Sequence, residues 1–399
     1  MSLAINLYSR LTLGTTKHLF IDDLGAIAHN YCHISRARGG FYAARFMLHQ
    51  ADITRTEMTW LYNNGLGCRI VETFGMTAWE GFVYEMTLKQ DGSAFRQTMN
   101  PNLFHNKAKA FYSDIIGSRN ETAWAENTSS SDIFGESCFV LPLSGCTDVA
   151  ALALRDAHLT EYAWPRSREV QGDSYSGGKG RPEPDTIEVT AVGYWANLNQ
   201  RYRESSETAG AAALVTTLVG ESEFVTAGRI EANTDSTFVD CDPIPQRLGD
   251  LISSLIEQGD NTGAVWQGGV YEGRKLVYEP APTAWTHQKK GSELQDKAGN
   301  PIPLALVRPG FLLYNASAPT GWARPGTASE WDDPRVRYVE QVEFVSGGRY
   351  GPDELRLSFP GEDMSMSVLQ ERMRRPSEPI SQEPYRGPGA LPGPRPFRY

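Results

Sequence analysis

The chain has 399 residues, of which 40% are hydrophobic and 22% charged, a composition typical of folded domains and not of a disordered protein. This length predicts about two to four domains. The net charge of −10 disfavours a surface that binds nucleic acid by displacing phosphate counterions, and no apolar run approaches the roughly 18 residues that a membrane helix needs.

The N-terminus lacks a basic region followed by an apolar core, so we expect a chain made in the cytoplasm and not exported through a signal peptide. The cysteines are scattered, with no Cys-x-x-Cys pair. This pattern predicts reduced and mostly buried thiols at Cys32, Cys68, Cys138, Cys146 and Cys241.

The first predicted elements are a strand over 41–48 and a helix over 55–64. Thr54 and Glu57 form a capping box at the start of that helix, and Gly65 supplies its end.

Two strands follow, over 68–74 and 79–90. The second alternates as a half-buried strand does. One face carries Phe82, Tyr84, Met86 and Leu88, and the other carries Gly81, Glu85 and Thr87.

Three more helices are predicted further along the chain. Apolar residues recur at helical spacing over 147–160, and the segment 205–219 is rich in alanine. The strongest apolar stripe lies over 243–258, where Asp242 can cap the helix and Pro243 fits its first turn.

The remaining strand patterns contain β-branched or aromatic residues between turn residues. They lie over 186–198, 265–279, 303–314, 335–346 and 354–359. Such strands with a few embedded helices predict a mainly-β α+β fold built on antiparallel sheets or small barrels.

Two segments lack the apolar residues of a core. The polar segment 170–185 predicts an exposed loop. The seven prolines of 376–399 predict an extended arm, either solvated or laid across a neighbouring subunit.

Two distant segments, 65–88 and 307–345, show the same arrangement of a turn and two strands, which we call strand units. In each, a glycine-bearing turn precedes a short apolar strand, and a second strand returns beside it. A chain that builds one β-unit twice often stacks or rings those units, which predicts an architectural role. The strand-turn and assembly candidates are Gly65, Gly67, Trp79, Gly81, Arg308, Pro309 and Gly310.

The segment 172–178 superficially resembles the nucleophile loop of trypsin-like proteases. A Tyr-Ser insertion interrupts that motif, and no histidine occurs in the small-residue context that such enzymes use upstream. Serine catalysis needs a base within hydrogen-bonding distance and a group that orients the base. We therefore expect a polar loop without a catalytic role.

His29, Cys32 and His33 are ligand types at close spacing, with His18, Asp22 and Asp23 upstream. On a strand, adjacent Cys32 and His33 point to opposite sides, which disfavours a shared metal ion.

The carboxylate pairs Glu80 with Glu85 and Glu340 with Glu343 have odd spacing, which places each pair on opposite strand faces and disfavours a glycosidase site. We interpret them as solvated. The chain contains no phosphate-binding loop, dinucleotide glycine motif or His-Glu-x-x-His motif. We therefore predict no catalytic, cofactor-binding or metal-binding residues and no cofactor.

In chain order, several of these segments resemble tail-tip and baseplate hub proteins of tailed bacteriophages and related prophage elements. The likeness covers most of residues 1–350 and consists of diffuse structural signatures. The segments that carry it are Gly39-Gly40-Phe41-Tyr42-Ala43-Ala44-Arg45-Phe46, Leu66-Gly67, Trp79-Glu80-Gly81, Ser129 to Glu136, Leu159 to Pro165, and Val192 to Leu198.

The resemblance implies two barrels resembling the tail-tube fold, separated by an α/β insertion. The first barrel, with its short helix, would span 1–115, the middle α/β domain 116–240, the second barrel 241–365 with helix 243–258, and the Pro/Arg-rich arm 366–399. Three copies would form a ring that continues the tail tube and closes its tip, without enzymatic activity.

The implied partners are other copies of the chain, a tail tube or distal tail protein, a tape measure protein, and a tip fibre or spike. The chain would lie at the distal end of the tail in the virion and take part in host attachment, without specific nucleic-acid binding or membrane insertion. The alternatives are a distal tail adaptor ring, which would be hexameric, a carbohydrate-binding host-recognition module, and a cell-wall hydrolase domain.

Overall fold

A computed structural model of the chain describes residues 4–10, 24–100, 103–114, 116–170, 185–241, 245–290, 293–316, 335–347 and 353–360. Strands dominate these residues, and the prediction of a mainly-β α+β fold is confirmed. No helix in the described ranges is long and apolar enough to cross a membrane.

The α-helices of the described residues are α1 (Leu24–Ile27), α2 (Arg55–Asn64), α3 (Thr128–Phe134), α4 (Asp148–Tyr162), α5 (Trp195–Leu198), α6 (Ala211–Gly220) and α7 (Leu248–Gln258). Short 3₁₀ turns lie at Glu272–Arg274 and Leu304–Leu306.

The strands of the N-terminal half are β1 (Ala4–Arg10), β2 (His29–Arg36), β3 (Arg38–His49), β4 (Cys68–Thr73), β5 (Thr77–Gln90), β6 (Ser93–Thr98), β7 (Lys107–Ser113), β8 (Arg119–Glu121), β9 (Ala125–Glu126), β10 (Cys138–Leu143), β11 (Arg168–Val170) and β12 (Thr186–Val192).

The later strands are β13 (Tyr202–Arg203), β14 (Glu207–Gly210), β15 (Thr226–Ile230), β16 (Ser236–Val239), β17 (Gln246–Arg247), β18 (Trp266–Tyr271), β19 (Lys275–Pro280), β20 (His287–Lys290), β21 (Glu293–Asp296), β22 (Phe311–Asn315), β23 (Val336–Val339), β24 (Gln341–Val345) and β25 (Glu354–Ser358).

A 13-stranded main sheet organises the described residues. Its strand order is β1-β4-β5-β12-β3-β18-β19-β15, with β6 and β11 continuing from β5, and with β2, β24 and β25 continuing from β3. Most neighbours are antiparallel, whereas β18 runs parallel to β3 and β15 runs parallel to β19. The long strand β3 is the centre of this arrangement, because β12 pairs with its residues 43–49, β18 with residues 38–40, and β2 along most of its length.

The main sheet curls around its own interior. His33 on β2 and Glu72 on β4 are hydrogen-bonded at 2.9 Å, although β3, β12 and β5 lie between their strands in the sheet order. Such a contact requires the inner faces of the sheet to approach each other, as they do in a partly closed barrel.

Two helices pack together against the C-terminal part of this sheet. The apolar stripe of α7 is fully buried, and α6 contributes a second buried stripe. These stripes consist of Leu248, Leu251, Ile252, Leu255 and Ile256 on α7, and of Leu214, Val215, Leu218 and Val219 on α6. Burial of each such side chain contributes about 1.5–3 kcal/mol, so the helix pair stabilises the neighbouring strands.

Smaller sheets flank the main one. The strands β7, β8, β9 and β10 form a sheet in the middle of the chain, with β10 parallel to β7, and α4 packs on it. The strands β20 to β23 form a four-stranded sheet with its own apolar cluster.

The predicted helices are present, with shifts at their starts. The helix over 55–64 is confirmed as α2, including both hydrogen bonds of the Thr54–Glu57 capping box. The helix over 147–160 is confirmed as α4, which Thr147 caps.

The predicted helix over 243–258 is wrong at residues 246 and 247, which form a strand, and α7 begins at Leu248; Asp242 and Pro243 lie outside the described residues. A helix from residue 243 would place Ile244 before Pro245, where the helical backbone is disfavoured. The predicted start at residue 205 is also wrong, because residues 207–210 form β14 before α6 begins.

Several predicted strands are interrupted. The segment 186–198 leaves the sheet after Val192 and ends in the short helix α5, while 265–279 is a hairpin of β18 and β19. In 303–314, only the last residues belong to a strand. The segment 335–346 divides at Glu340 into β23 and β24, which belong to different sheets.

Strand β5 follows the predicted alternation only in its second half. From Tyr84 to Leu88 alternate residues are buried, whereas residues 78–84 are all buried. The first half of β5 is therefore covered by protein on both faces of the strand.

The strands of the main sheet come from all three of the predicted globular segments. Residues 1–115 contribute β1 to β6, residues 116–240 contribute β11, β12 and β15, and residues 241–365 contribute β18, β19, β24 and β25. The domain boundaries at 115, 240 and 365 stay predictions. The arm 366–399 and residues 171–184 of the predicted loop lie outside the described residues.

Candidate functional site

Three strands and the segment before β22 meet closely around Gly40 and Phe41, at a place that we call the junction. It comprises Gly40 and Phe41 on β3, Trp79 and Gly81 on β5, Gly269 and Tyr271 on β18, and Arg308. The backbones of β3 and β18 approach so closely that a Cβ atom on Gly269 would overlap the backbone of Gly40, and one on Gly40 would overlap that of Val270. Only glycine allows this approach, which explains Gly40 and Gly269.

Aromatic rings fill the space beside these glycines. Trp79 is 0% and Phe41 1% exposed, and their ring centroids are 6.2 Å apart. Tyr271 meets Phe41 edge to face at 5.4 Å. Burial raises the pKa of the Tyr271 hydroxyl to about 12, although the charge of Arg308 acts in the opposite direction. Ring pairs of this geometry add about 0.5–1.5 kcal/mol to the burial of their area.

Arg308 connects this ring cluster to the segment before β22. Its guanidinium carbon lies 5.6 Å from the centroid of Phe41 and 5.5 Å from that of Tyr271, within the range of cation–π attraction. Its Nη2 lies 3.5 Å from Glu272 Oε2 in an exposed ion pair, which contributes little stability. The junction therefore brings together Trp79 and Gly81 from one predicted strand unit and Arg308 from the other.

Glu80 is a buried charge at the edge of the junction. Arg69 donates to its Oε1 from Nε at 3.0 Å and from Nη2 at 2.9 Å, and the Gly273 N–H donates to its Oε2 at 2.8 Å. Glu80 is only 1% exposed, so the interpretation of this residue as solvated is wrong. Removing one partner of such a pair leaves an uncompensated buried charge. The carboxylate therefore ties the turn between β18 and β19 to β4 and β5.

The other turn candidates lie outside the ring cluster. Gly65 ends α2 and donates to Leu61 O at 2.7 Å. Gly67 has φ +79° and donates to Val83 O, while Gly310 has φ +88° and donates to Val339 O, both at 2.8 Å. Pro309 is buried beside Gly310. The role of all seven candidates in assembly stays a prediction.

The two predicted strand units share part of their geometry. In each, the first strand pairs antiparallel with its return strand, β4 with β5 and β22 with β23. The return strand β5 is continuous over 14 residues, whereas the second one divides at Glu340.

A second polar cluster, which sequence reasoning missed, lies inside the curl of the main sheet. Tyr31 Oη and Glu72 Oε2 each lie 2.9 Å from His33 Nδ1, and all three residues are buried. Burial lowers the pKa of His33 to about 3 and raises that of Glu72 well above its ordinary value. Burial therefore favours the neutral form of both groups. Tyr31 and His33 lie two residues apart on β2, but Glu72 comes from β4, which is distant in sequence, so no local pattern connects the three residues.

The ligand types at residues 29–33 lie in different surroundings in the structure. His29 Nε2 lies 2.7 Å from Asp52 Oδ2, whereas His33 faces Glu72 in the interior. Within the described ranges, no three histidine, cysteine or acidic residues are grouped as metal ligands. His18, Asp22, Asp23 and the segment 172–178 lie outside these ranges.

A small cavity lies next to Gly67. It has a volume of ≈ 20 Å³ and is lined by Arg10, Phe134 and Asn197, among others. This space accommodates about one water molecule and no organic substrate.

Comparison with known proteins found little similarity. No protein-family profile matches the chain, and no curated protein matches its sequence. Among solved structures, the chain is similar to the tail protein from Neisseria meningitidis MC58, with a TM-score of 0.44 and 8% identity, over 90% of this chain and 98% of that one. A likeness at this level assigns neither a fold nor a function to the chain.

Proposed function

We propose that this chain is a structural protein of a bacteriophage tail and that it forms the hub at the tail tip or baseplate. The observation that carries the proposal is the set of open edges of the main sheet. In the described part of the chain, β1 pairs with β4 alone, β25 with β24 alone, β15 with β19 alone, and β11 with β6 alone.

Open strand edges expose unpaired backbone donors and acceptors, which attract further strands. A ring of identical subunits satisfies such edges, because each copy covers an edge of the next. The interfaces of an obligate ring bury more than about 2,000 Å² and are rich in apolar surface. The resemblance of the segments between Gly39 and Leu198 to tail-tip and baseplate hubs supports the same assignment.

The polar groups of the junction also support a structural role. Both oxygens of the Glu80 carboxylate already accept hydrogen bonds, and Arg308 lies against two rings. A catalytic acid or base needs access to a substrate proton. The groups at the junction instead bind other parts of the same chain, so we propose a function without catalysis.

In the proposed assembly, three copies form a ring that continues the tail tube. The tube or distal tail protein and the tape measure protein contact one side, and a tip fibre or spike contacts the other. Residues 1–115 and 241–365 supply the two tube-like parts, 116–240 the middle part, and the arm from 366 a further attachment. The ring lies at the distal end of the virion and contributes to host attachment.

Native mass spectrometry of the purified chain tests this proposal. A species of three times the chain mass supports the hub, and one of six times the chain mass supports the distal tail adaptor ring instead. A monomer at every concentration up to the highest soluble one contradicts both.

A carbohydrate-binding module is the alternative from another class. Its best candidate surface is the stacked pair of Trp285 and Tyr314, whose centroids are 5.3 Å apart. Lys297 lies 4.8 Å from the first ring and Arg335 5.2 Å from the second, so cations as well as the neighbouring ring approach these aromatic faces. This packing favours the structural role. Specific glycan-array binding by the isolated chain, lost in Trp285→Ala, would reverse that preference.

A further inference from the structure

We propose that helix α4 is fastened to its sheet by a pair of histidines, His105 and His158, and that acid releases it. This inference goes beyond the proposed tail function and does not depend on it. It rests on the geometry of the two imidazoles and on the shallow packing of the rest of the helix.

The two imidazoles share one hydrogen bond. His105 Nδ1 lies 3.1 Å from His158 Nε2, so one of these nitrogens donates its proton and the other accepts with its lone pair. One added proton leaves this arrangement intact, because a charged donor still has a neutral acceptor. Two added protons turn both facing nitrogens into donors, and the bond is then replaced by repulsion between two charges.

The surroundings oppose the doubly protonated state. His158 stacks on Phe139 at 4.7 Å and on Tyr162 at 4.6 Å, and His105 lies 4.3 Å from Phe139. His105 is 2% exposed, so a charge on it loses almost all of its hydration. Burial also lowers the pKa of His158, although Glu161 opposes that shift.

Outside the ring cluster, α4 has few buried side chains, and Arg155 Nη1 in its middle donates to Ala123 O at 2.8 Å. Ala151 and Leu159 are its buried residues, whereas its apolar Val149, Leu152 and Leu154 are 40–77% exposed. Near its N-terminal end, the Tyr112 hydroxyl donates to Asp148. Near its C-terminal end, the backbone N–H of His105 donates to the backbone O of Tyr162 at 2.9 Å. The ring cluster therefore supplies much of the packing of the C-terminal half of the helix.

The neighbouring charged groups are mostly paired with each other. Lys107 lies 3.7 Å from Glu126 and 3.0 Å from Glu136, and Lys109 lies 2.9 Å from Glu121 and 3.1 Å from Glu204. On α4, Arg155 lies 2.7 Å from Asp156. Cys138 on the adjacent β10 stays a neutral thiol, because burial raises its pKa to about 12. Glu161 is thus the charged neighbour that acts on His158.

The direction of the pH effect follows from proton linkage. The docked helix holds fewer protons on this pair than the released helix does, because the pKa of His158 is lowered when docked. Docking is therefore fully favourable above a pH of about 6.5 and weakens as the pH falls below that value. Each linked proton increases the released fraction by up to about tenfold per pH unit.

Hydrogen–deuterium exchange of the full chain at pH 7.5, 6.0 and 5.0 tests the proposal, with rates corrected for the intrinsic effect of pH. We expect protection of peptides within 148–162 to fall by at least about tenfold between pH 7.5 and 5.0. Peptides from α7 (248–258), whose stripe carries no histidine, are expected to keep their protection. An α4 that loses less than twofold, or that opens only together with α7, overturns the proposal.

Variants separate the histidine pair from other acid effects. His158→Gln keeps a hydrogen-bonding side chain without a titrating group. In this variant, α4 is therefore expected not to show the additional loss of protection at low pH. The same is expected of His105→Gln. The control is His287→Gln, on the separate sheet of β20, which is expected to respond as the wild-type chain does. An unchanged pH response of α4 in His158→Gln contradicts the proposal. If neither pair variant folds, the wild-type exchange profile alone decides.

Discussion

Glu72 shows how a single side chain links burial to pH. Its carboxyl group is 0% exposed on β4, and its Oε2 faces His33. Its Oε1 has no hydrogen-bond partner among the described residues. An ionised carboxylate in such a site would be costly, so burial favours the protonated form in the folded chain. The raised pKa of Glu72 therefore makes folding dependent on pH.

Glu72→Gln is expected to remove this dependence. Because the folded pKa lies above the unfolded one, the proton contributes fully below a pH of about 4.5, and stability is lost as the pH rises towards the folded pKa. The variant has no proton to lose, so its free energy of unfolding should gain on that of the wild type as the pH rises, by at most about 1.4 kcal/mol per pH unit.

Urea denaturation at pH 5, 6, 7 and 8 measures this difference. The exposed Glu257→Gln serves as the control and should follow the wild-type profile. If the Glu72→Gln and wild-type profiles run parallel over this range, Glu72 is not neutral in the folded chain.

Gly269 makes a second prediction at the scale of one residue. In Gly269→Ala the new methyl group meets the backbone of Gly40, which cannot rotate away. Such overpacking costs about 1–3 kcal/mol of unfolding free energy. Gly220→Ala is the matched control, because no atom lies within 4 Å of its new Cβ and the site ends helix α6. Equal stability of the two variants in urea denaturation would show that β3 and β18 do not approach closely.

Helix α2 shows what a sequence can specify at the scale of an element. Its limits follow from groups within one turn of each end, namely the Thr54–Glu57 box and the N–H of Gly65. We expect Thr54→Ala to lower the free energy of unfolding by about 1 kcal/mol. Thr59→Ala, in the middle of the same helix, is the control and should be neutral or slightly stabilising. An equal effect of the two changes in thermal or urea denaturation would argue against the cap.

Other elements could not be read from local signals. The break at Glu340 arises because β23 and β24 join different sheets, which is a property of the tertiary structure. The start of α7 was misplaced because Pro243 fits a first helical turn, while Pro245 disfavours the same helix. Likewise, the strand over 79–90 was predicted to be half-buried, whereas its residues 79–84 are all buried.

At the scale of the whole molecule, the sheet curvature separates what could be predicted from what could not. The strand content and the longer helices α2, α4, α6 and α7 follow from period and composition, whereas the short helices α1, α3 and α5 were not predicted. The meeting of His33 with Glu72 depends on a sheet that bends through several strands. The same holds for Arg308 against Phe41, which are far apart in the chain. The glycine pairs at 39–40 and 268–269 were the available signal for the junction, because adjacent glycines in strands often mark close backbone approach.

The proposed role in a phage tail also depends on the arrangement of the whole molecule. A curled sheet with open end strands can continue into a neighbouring copy, and a rotation that closes after three copies would give an annulus. The exposed apolar residues Val149, Leu152 and Leu154 on α4 would then lie on the flanking sheet and not on the main sheet edges. The ring is thus proposed to depend on strand edges and not on α4.

Electron microscopy of the purified chain tests this account most directly. The account predicts class averages of a ring with threefold symmetry and a central channel wide enough to continue a tube. Particles of single-chain size, or closed dimers without a channel at every concentration, would contradict it.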